Sequence, residues 1–174
     1  MAKDLGMIQP HVAQSMYIFK QPEIGGAAVP HQDNTFIYTE PFLSCIAWWW
    51  ALDDVDEENA CLWVIPGSHK QGLHKKRRFV KTADGKGVEF IPPYNKDGGS
   101  WDEYDRKDFV SAPVSKGSLV LIHGNVVHMS EKNLSKRPRH AYTIHVVEGK
   151  GTNWPKDNWL QRPSMPFYGF EEES

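Results

Sequence analysis

Apolar and polar positions alternate with a period of two through several stretches of this chain, which predicts strands joined by turns. Over residues 15–20, Met16, Ile18 and Lys20 point one way and Tyr17 and Phe19 the other. Over 44–52, Cys45, Ala47, Trp49 and Ala51 share a side, with Ile46, Trp48, Trp50 and Leu52 opposite. Three adjacent tryptophans cannot all enter one core, so one face of that strand packs a second sheet or covering helices. Small residues flanking Trp49 leave space beside it, as a lined pocket requires. Further strands are predicted over 60–65, ended by the turn Pro66-Gly67-Ser68, and at Val110–Ala112, Leu119–His123 and 139–147. The Gly25-Gly26 turn leads into an extended segment around His31, and His128 falls in the bend after Leu119–His123. Residues 70–109 are polar and broken by Gly85, Gly87, Pro92-Pro93 and Gly98-Gly99. They read as a long loop excursion with at most one short strand near Val88–Ile91, the kind of segment that serves as a lid or binding loop. The total is about seven strands, one short of an eight-stranded jelly roll.

Composition supports the same picture. With 174 residues, 40% of them hydrophobic, residues 1–174 are expected to form one domain with a sizeable core. Twelve prolines and fourteen glycines favour short strands over long helices, so the expected class is all-β with few or no helices. A formal charge of −2 provides no field that would draw nucleic acid or a membrane surface. No apolar leader opens the chain, no run of about eighteen apolar residues exists, and the last residues are not a Ser-Lys-Leu address. A cytoplasmic protein is expected. Cys45 and Cys61 lie in apolar runs and read as buried, reduced thiols. The acidic connector 53–59 lacks the ladder of a calcium loop and reads as a solvated turn. Asn133-Leu134-Ser135 matches a glycosylation acceptor, but without a secretory leader the match carries nothing.

The chemistry concentrates at His31-Gln32-Asp33. On an extended segment, side chains at i and i+2 share a face, so His31 and Asp33 can bind one cation together. A distant His128 would complete two imidazoles and one carboxylate, a set that leaves positions open on an octahedral ion, as in non-haem Fe(II) oxygenases. Downstream lie Ser130 and Arg139, the latter opening the last strand with Ala141 and Thr143 on its face. A guanidinium grips a carboxylate through two parallel charge-assisted bonds, so Arg139 suits the far carboxylate of 2-oxoglutarate. His123, His69, His74, His140 and His145 have no carboxylate in ligand spacing and read as structural. The basic cluster Lys75, Lys76, Arg77, Arg78 and Lys81 reads as a solvated loop, or else as a patch for a phosphate-bearing group.

Four stretches carry a resemblance: 15–20, Pro30-His-Gln-Asp33, 59–69 ending in Pro-Gly-Ser-His69, and Gly117-Ser-Leu-Val-Leu-Ile-His-Gly-Asn-Val-Val-His-Met-Ser130. Together the chain resembles the phytanoyl-CoA dioxygenase family over residues 7–159. The resemblance implies a double-stranded β-helix (a jelly-roll, cupin-like core) that uses Fe(II), 2-oxoglutarate and O₂. It implies His31, Asp33 and His128 as iron ligands, Arg139 as the 2-oxoglutarate anchor, and Met16, Trp49 and Ser130 as lining of that pocket. The implied reaction is hydroxylation of an organic substrate with release of succinate and CO₂. The substrate is expected to be a small molecule or an acyl-CoA-like compound whose identity the sequence does not specify, and nucleic acid is not expected. Family members carry a further upstream region, with helices over one sheet and a lysine that also touches 2-oxoglutarate. This chain therefore reads as N-terminally truncated. The alternative is a jelly roll that binds metal and 2-oxoglutarate without turnover, or that depends on a protein partner at an uncovered sheet face.

Overall fold

The computed structural model describes residues 1–94, 99–162 and 167–170. Gly98 and residues 171–174, used above for the excursion and the C-terminal address, lie outside them. The strands in chain order are β1 (Pro10–Lys20), β2 (Ala28–His31), β3 (Ile46–Ala51), β4 (Leu62–Val64), β5 (Arg78–Lys81), β6 (Val88–Ile91), β7 (Val110–Ala112), β8 (Leu119–His123), β9 (His128–Ser130), β10 (Arg139–Glu148) and β11 (Tyr168–Gly169). Among the described residues the only helical elements are short 3₁₀ turns. The expectation of an all-β chain is met.

Two sheets carry the architecture, one of five strands in the order β11-β1-β10-β3-β8 and one of four in the order β2-β9-β4-β7. They face one another as a double-stranded β-helix. Alternation along each strand decides what lies between them. Ala47, Trp49 and Ala51 of β3 meet Leu62, Ile122 and Ala141 in one buried cluster, while Trp48 turns to the opposite side with Met7 and Val146. The division of the three tryptophans over two faces is thus as expected. On β1, Tyr17 and Phe19 face outward at 55% and 60% exposure, and Lys20 faces inward and is buried. Cys45 and Cys61 are buried free thiols.

Four expectations need correction. First, eleven strands form among the described residues where about seven are expected, because β2, β5, β9 and β11 carry no readable period. Second, His128 lies in a strand and not a bend. Third, strand pairing ends at His31, the backbone stays extended through Gln32, and Asp33 opens a 3₁₀ turn, Asp33–Thr35. Fourth, the excursion holds a hairpin, β5 with β6, whose facing Phe79 and Phe90 rings lie 4.6 Å apart. Such a cross-strand aromatic pair stabilises a hairpin that its polar flanks conceal. Both rings also pack edge-on against Phe36. The basic cluster is largely tied down within the fold. Arg77 is buried, bridged to Glu103 and set over the Tyr94 ring; Lys75 joins the same Glu103, and Arg78 bonds Asp157.

Candidate metal centre and anion pocket

The Asp33 turn is held from three sides. Asn34 donates its backbone N–H to the Gly124 carbonyl at 2.9 Å and its side-chain amide to Asn125 Oδ1 at 2.8 Å. Gln32 donates to the carbonyls of Asn125 and Gly72 and accepts from the His74 backbone N–H. Gly124 is required at this contact, since a Cβ there would come within 2.7 Å of the Asn34 amide and the Cys45 carbonyl.

On the neighbouring strands, His31 of β2 and His128 of β9 stand directly opposite one another in the antiparallel register. Their rings lie 4.3 Å apart. Asp33 Oδ1 is 3.6 Å from His31 Nε2 and 3.7 Å from His128 Nε2, and the potential ligand atoms of the three residues lie within 4.8 Å of one another. In both histidines Nδ1 sits against a backbone carbonyl, Val29 at 2.6 Å and Val126 at 3.0 Å. A carbonyl only accepts, so each Nδ1 carries the proton and each Nε2 presents a bare lone pair. Burial and the adjacent His128 push the His31 pKa down to about 4, so its imidazole is neutral at pH 7. Burial alone would raise the Asp33 carboxyl, but the surrounding imidazoles of His128, His145 and His31 outweigh it and hold the group well below the usual carboxylate range.

This cluster closes one end of a cavity of about 250 Å³ between the two sheets. Its walls are apolar: Ile18, Ala47, Trp49, Leu62, Ile122 and Met129, with Met16 at its partly exposed edge. At the other end Arg139, 1% exposed, donates from Nη2 to Ser130 Oγ at 2.8 Å and lies 5.5 Å from the Trp49 ring centroid. Burial draws its pKa down to about 10, which leaves it cationic at neutral pH. Ser130 is saturated. It donates to the Ala60 carbonyl at 2.9 Å and accepts from both Arg139 and Lys20.

Every residue singled out from sequence, His31, Asp33, His128, Arg139, Ser130, Trp49 and Met16, lines this one cavity. Two residues that sequence reasoning left out line it as well. Lys20, paired in register with Arg139, sends Nζ to Ser130 Oγ at 2.7 Å and to the carbonyls of Ser130 and Glu131. His145, read as structural, brings Nε2 to 3.4 Å from Asp33 Oδ1. Both share the inward parity of their strands, which was the available signal. Two buried polar atoms here have no hydrogen-bond partner among the described residues: Asp33 Oδ2 and Arg139 Nη1. Such atoms cost about 1–3 kcal/mol each when left alone. A divalent cation at the first and a carboxylate at the second are the groups that would satisfy them.

Comparison with known proteins bears on the family and the fold. Residues 3–141 match the family model described as phytanoyl-CoA dioxygenase (PhyH). A phytanoyl-CoA dioxygenase of Arabidopsis thaliana is 52% identical over 166 residues, covering 95% of this chain and 54% of that protein. The phytanoyl-CoA dioxygenase domain-containing protein 1 of Bos taurus is 51% identical over 170 residues, covering 96% and 55%. This chain thus spans about half the length of the curated relatives it matches. Among solved structures, the non-heme alpha ketoglutarate dependent carbocyclase SnoK from nogalamycin biosynthesis is similar in fold, with a TM-score of 0.66. Its identity is 23%, and the match covers 84% of this chain and 54% of that one. No helix of the described residues is long and apolar enough to cross a membrane. By the extent of its family match and its identity to these relatives, the chain belongs to the phytanoyl-CoA dioxygenase family.

Proposed function

We propose that residues 1–174 form the double-stranded β-helix domain of an Fe(II)- and 2-oxoglutarate-dependent dioxygenase that hydroxylates a small organic molecule or an acyl-CoA-like substrate. One observation carries the reading: a single cavity ends in a two-imidazole, one-carboxylate cluster on one side and in a buried guanidinium with an unpartnered N–H on the other. His31, Asp33 and His128 would hold the iron, and Arg139 would bind the distal carboxylate of 2-oxoglutarate. Bound together, iron and 2-oxoglutarate supply O₂ activation coupled to oxidative decarboxylation, which yields succinate, CO₂ and a hydroxylated product.

The chain's own part is binding, orientation and exclusion of water. The Nε2 lone pairs of His31 and His128 are already turned to the cluster by the Val29 and Val126 carbonyls. Trp49, Leu62 and Met129 keep the cavity wall apolar, which strengthens the charge-assisted grip of Arg139 on a carboxylate. Met16 lines the rim of the same cavity. Ser130, with its proton committed to Ala60, positions Arg139 by accepting from it. The decisive experiment is succinate formation from 2-oxoglutarate. Succinate should accumulate with Fe(II) present and cease with a chelator, and turnover indifferent to Fe(II) would reject the iron assignment.

Lys20 adds a second cation at the anion end. Burial and the adjacent Arg139 push its pKa down to about 7, with Glu131 opposing. A bound dicarboxylate favours the protonated lysine, so its pKa rises on binding. Affinity for 2-oxoglutarate is therefore full below pH 7 and declines as pH climbs above it, where the lysine of the free protein has lost its proton. Calorimetry across pH 6–9 checks this, and in Lys20→Met the decline should flatten. An identical pH profile in the variant would remove Lys20 from anion binding.

A second reading is favoured by the outer face of the five-stranded sheet, where Tyr17, Phe19 and Tyr142 stand exposed. On it, the chain binds metal and 2-oxoglutarate but turns over only with a protein partner on that face. Calorimetric binding of both without succinate release would favour it over the first.

A further inference from the structure

Three imidazoles, not two, surround Asp33. The third, His145 of β10, is 4% exposed, and its Nε2 lies 3.4 Å from Asp33 Oδ1, nearer than either His31 or His128. Distance alone would make it the best ligand of the set. Its other ring nitrogen argues otherwise. His145 Nδ1 lies 3.3 Å from the side-chain amide nitrogen of Gln14, its partner in the β1–β10 register. An irregularity in β1 between Val12 and Gln14 establishes that pairing. The same amide nitrogen reaches Met16 Sδ at 3.9 Å, so both of its N–H groups face acceptors. An amide nitrogen has no lone pair to offer, so His145 Nδ1 must accept, and the proton resides on Nε2. In His31 and His128 the order is reversed, because a backbone carbonyl faces Nδ1.

We propose that His145 is a positioning residue and not a ligand: oriented by Gln14, it donates Nε2–H to the Asp33 carboxylate and holds it toward the two ligating imidazoles. The three histidines thus divide by tautomer into two bare lone pairs and one donor. This inference rests on the reading of His31, Asp33 and His128 as a metal site, and it deepens that reading by saying why a third histidine there does not join it. Outer hydrogen-bond partners of metal ligands typically contribute 10- to 100-fold in metal affinity.

Two measurements on the protein test it, neither of them activity. The first is Mn²⁺ affinity by water-proton relaxation. His145→Phe should weaken binding roughly 10- to 100-fold, and His145→Gln, which keeps an N–H at the corresponding place, should recover most of it. The second is pulsed electron paramagnetic resonance of bound Cu²⁺, which counts coordinated imidazoles. The count should be two in the native protein and remain two in His145→Phe. In Gln14→Glu the carboxylate accepts from Nδ1–H, leaves Nε2 bare, and should raise the count to three; this variant leaves His145 itself in place should His145→Phe not fold. A native count of three, unchanged Mn²⁺ affinity in a folded His145→Phe, or a count still at two in Gln14→Glu overturns the proposal. Those results leave the metal site standing. Absence of any Mn²⁺ binding by the native protein would bring down both.

Discussion

In Asp33→Ala, the stabilisation of the native protein by divalent metal is expected to disappear. Asp33 is the one carboxylate in the cluster, and the other two donors are imidazoles. Losing it should weaken metal binding beyond the roughly 100-fold that removal of an outer hydrogen-bond partner costs. A ligand that binds only the folded state stabilises by about 2.7 kcal/mol at 100 times its Kd. For a chain of this size each kcal/mol moves Tm by about 2–4 °C, so the native protein should gain on the order of 5–10 °C with saturating Mn²⁺. The variant should gain nothing. Without metal, Asp33→Ala should melt below the native protein, since the surrounding imidazoles outweigh the burial of its carboxylate and His145 loses the group it faces; the metal-induced shift is therefore read within each protein. Thermal melts of both proteins with and without Mn²⁺ make the comparison. An equal metal-induced shift in Asp33→Ala would show that the cation binds elsewhere.

That expectation starts from residues which could be read in the sequence, and the reason is chemical. His31 and Asp33 lie two positions apart, a weak signal alone that gains its weight from His128, Ser130 and Arg139 downstream. Yet the route by which they meet was not legible. The i, i+2 argument accounts for the pair, since Gln32 between them is extended, but not for the 3₁₀ turn that Asp33 opens, which Asn34, Gly124 and Asn125 lock. Those contacts join segments about ninety residues apart in sequence, as the Asn34–Asn125 separation of 91 shows. No local pattern encodes them.

Period-two alternation found the strands long enough to repeat it. The five-residue Leu119–His123 lies where expected, as does the three-residue Val110–Ala112 although it is too short to repeat a period, and the inward face of β1 carries Ile18 and Lys20. Alternation fails at β2, four residues that include Pro30, and at β9, three residues buried throughout. It also fails at β5, where Phe79 and Val80 sit inside a basic cluster. Lys20 and His145 illustrate a different limit. Each has the inward parity of its strand, but a lysine ending a strand reads as solvated, and a histidine without a nearby carboxylate reads as filler. His145 acquires its meaning from Asp33, which only the opposing sheet brings to it.

At the anion end, Arg139→Met should raise the concentration of 2-oxoglutarate needed for half-saturation by roughly 10- to 150-fold, equivalent to the 1.5–3 kcal/mol of a hydrogen bond to a charged group. Methionine is chosen because it retains much of the apolar stem below the guanidinium that lies over Trp49, so a loss reports the guanidinium and not a collapsed wall. The fold itself should tolerate the change. Arg139 is desolvated, its Nη1 has no partner, and its neighbour Lys20 is also cationic, so removing the charge relieves a repulsion as it removes the bond to Ser130. Arg139→Lys separates charge from shape: an ammonium retains attraction but not the paired N–H geometry, so its affinity should fall between the native protein and Arg139→Met. Mn²⁺ binding should stay the same in both, because the metal cluster closes the opposite end of the cavity. Calorimetric titration of 2-oxoglutarate into the Mn²⁺-loaded proteins measures all three affinities. Equal affinity in Arg139→Met would place the carboxylate somewhere other than the buried guanidinium, and Lys20 would then be the remaining cation in the cavity wall to examine.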